Sequence, residues 1–217
     1  MQTVANLLAQ IRLIGPDATP DRTELHPFVR RFGWAWDSYT PTHAEMLTAA
    51  ACFASDVLER GEPHWLSILG PSGVGKTHVL RQTFNLLRKA ASERVWRVWT
   101  AEGRSEPGWG TPTTAHIIPN ADLDDYQAPR DFAKLDLVYI EDIGAGSSQT
   151  DKGAARVVRD RIMELLQLRS RKWTLLDANL YRRDLEQHFD GRIASRLTRD
   201  GSVMIEVPET TPDHHNR

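Results

Sequence analysis

Between an apolar run (Trp65, Leu66, Ile68, Leu69) and a stretch of helical periodicity stands the octapeptide Gly70-Pro71-Ser72-Gly73-Val74-Gly75-Lys76-Thr77. No other part of the chain restricts the fold as strongly. The spacing G-x-x-x-x-G-K-T places glycine where backbone N–H groups must approach phosphate oxygens, a lysine within reach of the β- and γ-phosphates, and a hydroxyl for Mg²⁺. With glycine near 7% of average composition, the four fixed positions would coincide by accident in roughly one chain in a hundred of this size. After Thr77, the residues Val79, Leu80, Phe84, Leu86 and Leu87 recur at helical spacing. The loop is therefore expected between a strand and a helix whose N-terminus faces an anion. Gly70, Pro71, Ser72, Gly73, Val74, Gly75, Lys76 and Thr77, with the adjacent His78, form the expected binding segment for a nucleoside triphosphate.

A second piece of chemistry lies some sixty residues on, at Leu137-Val138-Tyr139-Ile140-Glu141-Asp142. A buried parallel strand that ends in two acids delivers them beside the phosphate loop, where ligands of such sheets bind. One acid would hold Mg²⁺ while the other polarises the attacking water. Other segments supply the rest of an alternating pattern. Thr42 and Glu45 have the spacing of a capping box that starts a helix running to Gly61. Strands are expected at 64–69, 95–100, 137–140, 173–177 and 202–207, and helices from Thr77 to about 90, over 152–172 and over 182–188. Such repetition implies a parallel sheet with helices on both faces.

The 217 residues suffice for one main domain. Residues 41–207 are expected to form it, after an N-terminal extension over 1–40 and before a flexible tail over 208–217. The extension opens with apolar residues at 4, 7, 8, 11 and 14, an amphipathic helix that either covers its own domain or docks on a partner. Residues 101–114 read as a loop rich in Gly, Pro, Ser and Thr whose Trp109 either folds back or meets a base or a partner. The single cysteine, Cys52, sits among alanines and has no disulfide partner in the chain, which suits a buried small hydrophobe in a reducing cytoplasm. No apolar run reaches the length of a membrane span. Charge is uneven: residues 101–150 hold 3 basic and 9 acidic side chains, whereas 151–200 hold 12 basic and 8 acidic. That polarity is either solvated helix surface or a nucleic-acid-facing side opposed to an acidic one.

With these motifs in order, the chain resembles the AAA+ ATPases over roughly residues 28–207. Within them it is similar to the initiator group, which includes helicase loaders of the DnaC and DnaI type and transposition helpers of the IstB type. The resemblance rests on Gly70–Thr77 as Walker A, Leu137–Gly144 as Walker B, Asp177-Ala178-Asn179-Leu180 as sensor 1 and Gly191–Leu197 as the arginine-finger box. It implies a three-layer P-loop NTPase with a five-stranded parallel sheet, without a C-terminal lid domain, using ATP and Mg²⁺. Thr77 and Glu141 would serve the metal, Glu141 and Asp142 catalysis, and Asn179 the γ-phosphate or the water. Arg196 would enter the site of a neighbouring subunit in a homo-oligomer, with Arg192 as its substitute. The order Glu141-Asp142 departs from the usual Asp-first pair, which implies altered Mg²⁺ coordination or turnover. A cysteine-rich zinc module is ruled out by the lone Cys52.

The expected role is an ATPase that places a replicative helicase on single-stranded DNA. Two alternatives stand beside it: a transposition helper that binds duplex DNA and a transposase, and a slow or non-hydrolysing nucleotide switch acting through protein contacts. No acceptor site or arginine-rich lid points to a small-molecule kinase.

Overall fold

All five residues of β1 (Trp65–Leu69) are buried, the condition of a strand covered on both faces. The computed structural model of the chain describes residues 41–59, 62–92, 114–123, 125–144, 152–189, 191–199 and 201–213. The expected helix over 4–14, the strand at 95–100, the loop with Trp109, and Asp124 lie outside these residues. In chain order the elements are α1 (Pro41–Glu59), β1, α2 (Lys76–Ser92), β2 (Thr114–Ile117), α3 (Pro119–Asp122), α4 (Ala128–Ala133), β3 (Leu137–Ile143), α5 (Lys152–Leu168), β4 (Trp173–Ala178), α6 (Arg182–His188), α7 (Gly191–Arg196) and β5 (Val203–Glu206).

The strands form one five-stranded sheet in the order β2-β3-β4-β1-β5, and every pairing is parallel. Because side chains alternate along a strand, each strand feeds two cores. Leu66, Ile68, Tyr139 and Leu175 meet Phe53, Val57, Leu80 and Phe84 of α1 and α2 on one face. Leu69, Val138, Ile140 and Leu176 meet Ile162, Leu165, Leu185 and Ile193 of α5, α6 and α7 on the other. The alanines of α1 (Ala44, Ala49, Ala50, Ala51, Ala54) are buried with Cys52, so this helix lies deep in its layer and Cys52 behaves as the expected small hydrophobe.

Several boundaries differ from the sequence expectation. α1 starts at Pro41, where a proline loses no hydrogen bond, so Thr42 and Glu45 lie inside the helix and do not cap it. Thr114 opens β2 and does not close a loop. α5 ends at Leu168, and its Val157 and Leu168 are exposed. β3 continues through the two acids to Ile143, with a register break against β4 between Ile140 and Ile143. That bulge puts Ile140 and Ile143 on the same core face and redirects the residues between them. Residues 208–213, expected in the flexible tail, include Thr211, which is buried, and Asp213, whose carboxylate lies against Gly73.

Candidate nucleotide site

The glycine loop leaves the C-terminal end of β1 and enters α2, so its position follows from the two strands beside β1. Gly70 N–H donates to the Ala178 carbonyl of β4 at 3.2 Å, and Val207 N–H donates to the Leu69 carbonyl at 2.8 Å. Gly70 is pinned between them. Its φ of +134°, and a Cβ that would lie 2.7 Å from the Val207 carbonyl oxygen, leave no room for another residue. Gly75 adopts φ +88°, the left-handed region glycine enters without penalty. His43 of α1, fully buried, donates from Nε2 to the Val74 carbonyl at 3.2 Å and so anchors the loop from the helix layer.

Lys76 is only 4% exposed. Its ammonium donates to two neutral acceptors, the Pro71 carbonyl at 2.5 Å and Asn179 Oδ1 at 2.9 Å. Burial lowers its pKa, while the charges of Asp177 and Asp142 act against that shift. A cation buried with neutral direct partners favours an anion close by. Asn179, just past β4, also donates from Nδ2 to Asp142 Oδ1, linking the lysine to the acid pair. Asp142 is held at φ +59°, a conformation in which aspartate is enriched among non-glycine residues. Burial raises its pKa, opposed by Lys76.

The two acids diverge. Glu141 Oε1 accepts from Arg81 Nη2 and Oε2 from His116 Nε2, and the His116 ring stacks on Tyr139 with centroids 4.6 Å apart. Thr77, expected to serve the metal with Glu141, donates its hydroxyl proton to Asp177 Oδ2. Asp177 Oδ1 accepts the Asp142 backbone N–H at 2.6 Å. Asp177 is 1% exposed, and burial raises its pKa, opposed first by the bond from Thr77. Four of the contacting residues, Arg81, His116, His43 and Asp177, carry no role in the motif reading. Arg81 had a local signal, lying four residues after Thr77 on the same helix face; His43 and His116 had none.

The structure thus brings Gly70, Pro71, Lys76, Thr77, Asn179, Asp142 and Glu141 to one end of the sheet, while His78 is exposed on α2. Arg196 lies elsewhere. It donates from Nη1 to the Leu166 carbonyl at 3.2 Å and lines a cleft with His64, Trp65, Arg171, Arg199 and Ser202, at the N-terminal ends of β1 and β4. At about 3.3 Å per residue, β1 alone separates it from the loop by about 13 Å, so it cannot act in its own chain's site. Arg192 is exposed on α7.

The basic side that the excess over residues 151–200 suggests is smaller than its residue count implies. Arg169 is completely buried, Arg161 donates to the Leu123 carbonyl, and Lys172 donates to the Ala133 carbonyl at 2.7 Å. Arg156 and Arg159 are exposed but pair with Asp160 at 3.8 and 3.5 Å.

A five-stranded parallel sheet with a glycine loop after the first strand, acids at the end of the third and an asparagine after the strand between them has the fold of AAA+ P-loop domains. Among solved structures, the chain is similar to domain III of the replication initiation protein DnaA from Thermotoga maritima, with a TM-score of 0.50 and 18% identity over 85% of this chain and 68% of that one. It also matches an initiator DnaA bound to AMPPCP and single-stranded DNA (TM-score 0.48, 16% identity, 75% of this chain, 47% of that one). A third match is Orc1 from Aeropyrum pernix in complex with DNA (TM-score 0.46, 14% identity, 77% and 46%). The chain spans about half the length of the latter two. No protein-family model matches the chain, and no curated protein matches it in sequence. Among the described residues, no helix is long and apolar enough to cross a membrane.

Proposed function

We propose that this chain binds ATP with Mg²⁺ at the Gly70–Thr77 loop, hydrolyses it in a homo-oligomer, and uses that cycle in the cytoplasm to place a replicative helicase on single-stranded DNA. The observation that carries the nucleotide reading is the continuous set of contacts from Lys76 through Asn179 to Asp142, and from Thr77 to Asp177. The donors present fit a Mg-nucleotide: backbone N–H groups of the loop, the ammonium of Lys76 and the hydroxyl of Thr77. Bound Mg²⁺ would offset charge on the β- and γ-phosphates. Lys76 would bind those phosphates, Asn179 would orient the γ-phosphate or the water, and Asp142 would accept the water's proton. Burial makes Asp142 a stronger base than an ordinary aspartate.

Arg196, remote from its own loop, is assigned to the neighbour's site, where a guanidinium supplied in trans accelerates comparable phosphoryl transfers by about 10³ to 10⁵. Mixing Arg196→Ala with Lys76→Ala chains tests this, because each supplies what the other lacks. Partial recovery of turnover is expected; no recovery from two folded variants counts against the shared site. Titrating single-stranded and duplex DNA across a salt series tests the substrate. A clear duplex preference would replace helicase loading by the transposase-helper role.

The engagement of both Glu141 oxygens by Arg81 and His116 favours a second reading, a slowly hydrolysing switch. Multiple turnovers stimulated by DNA would eliminate it.

A further inference from the structure

Beside the pair Glu141-Asp142, a third carboxylate that could serve the metal side of the site lies one strand away. β4 stands between β1 and β3, and Asp177 pairs in register with Ile68, two residues before Gly70. By strand alternation Asp177 shares a sheet face with Trp173 and Leu175, which pack under α1 and α2. This puts its carboxylate beneath the first turn of α2. Glu141 is engaged elsewhere, with one oxygen on Arg81 and the other on His116.

Three features make Asp177 more than a buried residue with satisfied hydrogen bonds. It is 1% exposed, yet its two oxygens receive one hydroxyl and one backbone N–H, about half of what a carboxylate accepts. The charge of Lys76 favours this carboxylate but is shared with Asp142, so a further cation close by would lower the cost of its burial. Thr77 commits its hydroxyl proton to Asp177, so the lone pairs of Oγ1 are free for a cation on the phosphate side. The same carboxylate holds the backbone of Asp142, the residue at φ +59°, and thereby sets where the acid beside Asn179 points.

We propose that Asp177 is the positioning carboxylate for the metal of a bound Mg-nucleotide, acting through Thr77, and that Glu141 is released from this task to pair with Arg81 and His116. The inference rests on the nucleotide-site reading above and adds a residue to it. Among the described residues, no group of three or more His, Cys, Asp and Glu side chains is arranged to hold a metal alone, so the cation is taken up with the nucleotide and is measured through it.

The test is a fluorescent ATP-analogue titration of the full chain in EDTA and in Mg²⁺, for wild type, Asp177→Asn and Glu141→Gln, each verified as folded by circular dichroism. Asparagine matches the shape of aspartate and keeps an acceptor for the Asp142 N–H, so it removes charge with little change in packing. Expected are Asp177→Asn affinities in EDTA close to wild type, with the Mg²⁺-dependent gain reduced by about 10- to 100-fold, the range for a group that orients a metal ligand. Glu141→Gln should keep the gain. A full gain in Asp177→Asn, or a gain lost in Glu141→Gln, overturns the assignment. Should Asp177→Asn not fold, Asp177→Ser provides the same comparison and the Glu141→Gln arm still decides. Wild type that binds the analogue in neither buffer overturns the nucleotide site itself, an outcome distinct from either variant result.

Discussion

Replacing Arg169 with methionine removes a guanidinium that the structure buries completely. All five of its N–H groups have acceptors: Nε donates to Thr174 Oγ1 at 3.2 Å, Nη1 to the carbonyls of Leu135 and Phe132, and Nη2 to those of Asp136 and Trp173. The side chain thereby ties the end of α5 to the turn before β3 and to the start of β4, the strands that carry Glu141, Asp142 and Asp177. Burial lowers its pKa to about 10, which leaves it cationic at neutral pH. Methionine keeps much of the stem's apolar packing, so the loss comes from carbonyls left without their donor. Each buried acceptor left without a donor costs about 1–3 kcal/mol, so losing a donor shared by four carbonyls, partly offset by a charge no longer buried, is expected to cost about 3–5 kcal/mol. In a chain of this size each kcal/mol lowers Tm by about 2–4 °C, so a fall of about 6–20 °C is expected. Arg169→Lys, with three donors on a flexible stem, should fall between. Thermal melts by circular dichroism measure this, with a DNA titration alongside. A Tm within about 2 °C of wild type together with weakened DNA binding would refute the burial argument and return Arg169 to the surface.

Three further outcomes follow from the geometry. Cys52, with its thiol pushed up to about 12 by burial, should be alkylated by iodoacetamide at pH 8 about 10³-fold more slowly in the native chain than in denaturant, because the thiolate is the reactive form; equal rates would place it at the surface. Gly70→Ala should lower stability by about 1–3 kcal/mol, the cost of a side chain at a strained backbone position, given a Cβ 2.7 Å from the Val207 oxygen; an unchanged denaturation midpoint would contradict the pinned loop. Asn179→Ala, which deprives Lys76 of an acceptor, should leave ATP affinity nearly intact and reduce turnover by about 10²-fold; unaltered turnover would remove Asn179 from the site.

Much of this arrangement is legible in sequence because it is local. The loop from Gly70 to Thr77 carries its own geometry, and the helix over Arg182–His188 and the strand from Trp173 were readable from turn residues and apolar runs. β2 was missed because four half-polar residues, Thr114–Ile117, carry little strand signal and gain order by pairing with β3. The chemistry of the acids was hidden for a different reason. Thr77 and Asp177 are 100 positions apart, and Arg81 and Glu141 are 60 apart, so strand order decides which acid meets which partner. The burial of Arg169 was not legible because periodicity gives a direction to a side chain but does not foresee the carbonyls of α4, of the turn before β3 and of the start of β4 that converge on it.

Whether the Gly70–Thr77 loop binds ATP with Mg²⁺ is decided by calorimetric titration of the chain with ATP in Mg²⁺, with Lys76→Ala as the paired variant. Saturable binding at one site per chain is predicted, weakened at least about 10-fold in the variant, in keeping with the loss of a charged contact worth about 1.5–3 kcal/mol. No heat of binding, or an affinity that Lys76→Ala leaves unchanged, would contradict it.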